Sequence, residues 1–194
     1  MLTHWQLTWR GACSLLWLSL IFTAPAVAEK CINATDCHIP VKFTGVYLEN
    51  TCEISIDGGG NDNSVLLPKI ATRLLQKNGD EAGSRQFQIL LKACPAGKKV
   101  NLHFVSAGAA VDNNTGNLVN SPGSGMSQAV QVRLRNEAGA QIRIDDINSF
   151  QQYIIPPTGD DVMHYYMANY YANGSGRVTP GLVNTLTGIE LIYN

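Results

Sequence analysis

From about residue 39 onward, apolar positions recur in short runs of period two, separated by clusters of Gly, Asn, Asp and Pro. That pattern predicts half-buried strands joined by turns, not amphipathic helices. QAVQVRLRN at 128–136 is the clearest case, with Val130, Val132 and Leu134 directed to one side and Gln131, Arg133 and Arg135 to the other. AQIRIDD at 140–146 repeats the alternation after a hairpin-like gap at 137–139. Further β-type runs are VKFTGVYLENTCEISI at 41–56 (core candidates Val41, Phe43, Val46 and Ile54), SVLLPKI at 64–70, QFQILLKAC at 86–94, VNLHFVS at 100–106, FQQYIIPP and the aromatic MHYYMANYYANG at 163–174. Pro68 marks a strand end or edge. Residues 108–125 read as a polar connection with room for a small strand around Leu118, and KIATRLLQKNG as a helical turn or two, with Ile70 and Leu74 four apart and Gly79 as a cap. DGGGNDN at 57–63 must be loop. The expectation is one all-β domain, a sandwich or barrel.

The last run, GIELIYN, places Ile189, Leu191 and Tyr193 on one face of a terminal strand that stops one residue before the end of the sequence. Such a strand covers one sheet edge and leaves no following chain for the next. Exposed edges recruit other chains.

The N-terminus changes what counts as the folded protein. Residues 1–28 read as a secretory signal, with His4 and Arg10 in a short polar start, the apolar run LLWLSLIF at 15–22, and Ala26, Val27 and Ala28 as an A-x-A cleavage site. Its removal leaves 166 of 194 residues and takes away all three tryptophans and Cys13. Arg10 is the only charged residue in that segment, so 13 basic residues remain against 15 acids, a net −2. With no Lys/Arg cluster, this balance provides no footprint for nucleic acid or an anionic membrane, and no membrane insertion is expected after signal removal.

Four cysteines remain, Cys31, Cys37, Cys52 and Cys94, and an even number in an exported chain argues for disulfides. A Cys52–Cys94 bridge would pin two sequence-distant strands and contribute roughly 4 kcal/mol in the chain-entropy model. Cys31 and Cys37 are the second candidate pair. Six extended steps span about 20 Å against about 5.5 Å between bridged Cα atoms, so that bridge forbids a straight strand there.

Nothing in the sequence specifies an enzyme, and no cofactor is expected. His38, His103 and His164 have no metal-ligand spacing. Asp145/Asp146 and Asp160/Asp161 border turns and read as turn residues. DGGGNDN lacks the calcium-loop register and its closing Glu, and Gly123-Ser124-Gly125 and Gly174-Ser175-Gly176 miss the nucleophile-elbow pattern. Of Tyr165, Tyr166, Tyr170 and Tyr171, half would face inward on an alternating strand, so packing is the expectation over a carbohydrate platform.

Taken in order, the motifs resemble the chaperone-usher fimbrial subunits of the type 1 pilin family. They are an export signal, a first strand of the F-x-G-x-V type, here Phe43-Thr44-Gly45-Val46, ending at Cys52, V-x-L-P around Leu67 and Pro68, an I-x-L-x-x-C-like approach to Cys94, a Tyr-rich strand, Thr179-Pro180-Gly181 and a penultimate Tyr193. The resemblance implies an incomplete immunoglobulin-like sandwich completed by a donor strand. It implies three segments: the signal at 1–28, an N-terminal extension at 29–40 as candidate donor strand, and a pilin domain at 41–194. The implied partners are a periplasmic chaperone, an outer-membrane usher and neighbouring subunits, and the implied location is a fimbrium on the cell surface, reached through the periplasm. Gly181, Ile189, Leu191 and Tyr193 would then bind the chaperone's or neighbour's strand. The extension has no Gly, and only Ile32, Ala34 and Ile39 are clear apolar candidates for donation. The implied function is a structural fimbrial subunit that polymerises by donor-strand exchange and contributes to cell adhesion. A tip-located adaptor or adhesin, or a chain-terminating subunit, is the alternative; a tip lectin domain would need more than 166 residues.

Overall fold

A computed structural model describes residue 42 and residues 51–194. The expectations for the signal, the extension, Cys31, Cys37, Ile32, Ala34, Ile39, Val41, Phe43 and Val46 lie outside the described residues.

Ten strands follow in order: β1 Glu53–Ile56, β2 Glu81–Lys92, β3 Lys99–Val105, β4 Val111–Asp112, β5 Asn117–Val119, β6 Val130–Asn136, β7 Gln141–Ile142, β8 Phe150–Ile154, β9 Val162–Ala172 and β10 Gly188–Tyr193. They form two antiparallel sheets. The larger runs β1-β2-β9-β6-β5-β4, with β7 also on β6, and the smaller runs β10-β3-β8.

Alternation explains how the sheets meet. Phe87, Ile89 and Leu91 of β2, Val132 and Leu134 of β6, and Tyr166 and Ala168 of β9 pack against Val100, Leu102 and Phe104 of β3 and Tyr153 of β8 in one buried cluster. Burying each such side chain contributes about 1.5–3 kcal/mol. The Tyr166 hydroxyl donates to Tyr153 Oη at 2.9 Å, and the Tyr153 hydroxyl donates to the Ile89 carbonyl at 3.1 Å, so a polar thread joins the two sheets. Burial disfavours the phenolate and raises both tyrosine pKa values. Cys52 and Cys94 are bridged and belong to the same core.

Three local expectations change. Residues 64–71 form no strand, although they keep the alternation. The helical turn is a single 3-10 turn at Thr72–Leu74; Leu74 is exposed, Leu75 is the buried residue, and the Gly79 N–H bonds the Ala172 carbonyl instead of capping the turn. Gln131, directed outward by the period, is buried, because its amide donates to Asp112 and accepts from Thr115 and Asn117. The small strand around Leu118 and the β6–β7 hairpin are present.

Candidate functional site

β10 pairs through all six residues with β3, from Gly188 opposite Val105 to Tyr193 opposite Val100, and among the described residues its other edge has no strand partner. Ile189, Leu191 and Tyr193 are half-buried and pack against the main core, while Glu190 is exposed. The inward alternation begins upstream. Val183, Thr185 and Thr187 are half-buried between exposed Leu182, Asn184 and Leu186, so one apolar-to-hydroxyl face runs from 183 to 193.

Residues 64–70 supply a second segment, with no ladder among the described residues. Val65 and Leu67 pack against the same core as Ile189, Leu191 and Tyr193, whereas Leu66 is 85% exposed. The alternation of a strand is therefore present without a ladder: among the described residues, no backbone–backbone hydrogen bond is made by 64–70. Pro68 removes one donor outright. Ile70 joins a second cluster with Leu75, Val130, Ala172 and Val178, and Val183 touches both clusters. Val65 and Leu67 thus share the main core with Ile189, Leu191 and Tyr193, and Ile70 shares the second cluster with Val183. Among the described residues, these two walls each have backbone hydrogen-bonding groups outside any ladder and share one core.

The predicted site residues divide accordingly. Ile189, Leu191 and Tyr193 are together on the first wall. The Tyr193 hydroxyl accepts the Cys52 N–H at 2.8 Å, which ties the end of β10 to the bridged start of β1. Gly181 lies outside β10, beside the Met126–Leu182 bridge. A Cβ there would come within 2.5 Å of Ser127 N and 2.7 Å of Met126 C, so only Gly permits that backbone approach. Val65, Leu67 and Ile70 were absent from the expected site, although period two up to Pro68 carries the signal of Val65 and Leu67.

The other candidate chemistry is accounted for locally. His164 Nδ1 lies 2.9 Å from Glu137 Oε1, and His103 is buried beside Phe150. Asp145 accepts the Ser106 N–H, Asp146 the Asn148 N–H and Asp160 the Thr158 hydroxyl. Tyr166 is core, Tyr170 packs in the second cluster, and Tyr165 and Tyr171 face outward, Tyr171 under the Arg133 guanidinium at 3.8 Å.

An antiparallel sandwich in which, among the described residues, β10 has a strand partner on one edge only and 64–70 make no ladder fits the class of immunoglobulin-like pilin subunits. Residues 41–194 match the family described as fimbrial protein. The major fimbrial subunit SMF-1 of Stenotrophomonas maltophilia is 33% identical over 87% of this chain and 99% of its own length. The F17 fimbrial protein of Escherichia coli is 31% identical over 79% and 86%. In structure, the P pilus rod subunit PapA matches with a TM-score of 0.57 at 18% identity, over 74% of this chain and 99% of that one. The chain belongs to the fimbrial protein family, a family of structural subunits of cell-surface fimbriae.

Proposed function

We propose that this fimbrial subunit polymerises by accepting a neighbour's strand between β10 and residues 64–70, as a member of a chaperone-usher system. The observation that carries this reading is a pair of segments that, among the described residues, have an edge with no ladder and share one core: Ile189, Leu191 and Tyr193 in β10, Val65 and Leu67 in 64–70. An added strand would take up the free backbone groups and cover half-buried apolar side chains, which is strand addition with no covalent step or cofactor.

In this scheme residues 1–28 direct export and are removed. A periplasmic chaperone first supplies a strand to the groove, and at the outer-membrane usher the 29–40 extension of the next subunit replaces it. Residues 41–194 form the receiving domain. Ile32, Ala34 and Ile39 are the donor side chains, and adhesion is a property of the assembled fibre. A tip or chain-terminating position is favoured by one observation, the Gly-free extension with Cys31 and Cys37 six positions apart.

The test is displacement. Chaperone-held subunit is mixed with synthetic 29–40 peptide, reduced or oxidised, and free chaperone is measured. Release by the reduced peptide supports a standard donor, and release by neither form would remove the extension from that role.

A further inference from the structure

Residues 64–70 are pinned at their ends but loosely held between them. Upstream, Asn63 Nδ2 donates to the Ile56 carbonyl at 2.7 Å and Asn63 Oδ1 accepts the Ser64 N–H at 2.8 Å. Downstream, the Thr72–Leu74 turn leads to buried Leu75, and the Asp80 carboxylate accepts the N–H groups of Gln76 and Lys77 at 2.9 and 2.7 Å. Among the described residues, the hold between these anchors consists of Val65, Leu67 and Ile70 side chains plus one directional contact: the Tyr170 hydroxyl donates to the Pro68 carbonyl at 3.2 Å. Apolar packing is non-directional and leaves the backbone free to slide. A hydrogen bond to a fixed strand does not.

Tyr170 is well placed to supply that reference point. It sits on β9 opposite Ala82 of β2, where the ladder shifts register between Ala82 and Arg85. Gly83 lies inside this bulge at φ +69°. A Cβ there would stand 2.8 Å from Tyr170 Cδ2 and 3.1 Å from Ile70 Cγ2, so Gly at this position leaves room for the ring and the wall at once. Burial raises the Tyr170 pKa, which keeps its hydroxyl a donor.

We propose that Tyr170 is a positioning residue for the groove: through the Pro68 carbonyl it holds residues 64–70 at the separation from β10 that an incoming strand requires. This rests on the strand-acceptance reading above. It also makes a specific statement about the occupant. Pro68 has no N–H, so the N–H groups offered to the incoming strand come from other residues of the wall.

The experiment uses the full mature chain with Tyr170→Phe, which keeps the ring and removes the hydroxyl. Spin labels are placed by a non-cysteine handle at exposed Leu66 and Glu190, one on each wall, and the inter-label distance distribution is measured. The expected result is a narrow distribution in the parent and a clearly broader or displaced one in the variant; identical distributions overturn the proposal. Polymerisation rate is measured in parallel and should fall about fivefold, equivalent to one neutral hydrogen bond, with the thermal midpoint of the finished polymer unchanged. A matching loss of polymer stability would mean general packing and also overturns it. If the parent chain does not polymerise at all, strand acceptance fails, while the label distances still decide whether Tyr170 sets the wall.

Discussion

At Tyr193 the ring and the hydroxyl serve different partners, the ring the core and the hydroxyl the Cys52 N–H. The alternation of GIELIY revealed the first and had no means of revealing the second, because a contact across 141 positions leaves no local trace. Glu81 shows the same limit. It accepts from Arg133 and Arg135, each at 2.6 Å to Oε1, and from Asn169 at 2.7 Å to Oε2, joining β2, β9 and β6. Period two directed Arg133 and Arg135 outward correctly but left their partner unnamed. Burial alone would raise the Glu81 pKa; the bonds from Arg135, Asn169 and Arg133 outweigh it and lower the value. A depressed folded pKa stabilises the fold fully above the ordinary glutamate value of about 4.3 and loses that contribution as pH falls through the folded value. Glu81→Gln should therefore cost about 1.5–3 kcal/mol near neutral pH. Its penalty should shrink at acid pH, as read from denaturant midpoints along a pH series.

Among the elements, residues 64–70 and β10 carry nearly the same sequence pattern and end in different states. Both alternate, but β10 has β3 beside it, whereas 64–70 has Pro68 within it and no described ladder. Hydrophobic period reports which side chains face the core, and it is silent on whether the backbone has a neighbour. For that reason the strands were legible, while the second wall of the groove was not. The 3-10 turn differs for a related reason: with Leu75 buried in place of Leu74, the chain needs only one tight turn to pass from the wall toward β2. The connection from β9 to β10 depends on Gly181. Gly181→Ala would press a methyl into the Met126–Ser127 backbone and should destabilise the domain by about 1–3 kcal/mol. Thermal unfolding checks this, and an unchanged midpoint would show that the two backbones can separate without cost.

At the scale of the molecule, the described residues form two antiparallel sheets packed on one core. Ile189, Leu191, Tyr193, Val65 and Leu67 are half-buried against that core. The chain belongs to the fimbrial protein family and shares its fold with a pilus rod subunit; its completion by another chain is the proposal that remains to be tested. The most direct test takes fibres assembled from two populations: subunits with a diazirine analogue of leucine at position 67, and isotopically heavy subunits without it. After photolysis, crosslinked peptides are read by mass spectrometry. Links from position 67 to residues 29–40 of heavy subunits are expected. Links confined to the same light chain, or to a neighbour's folded body, would contradict it.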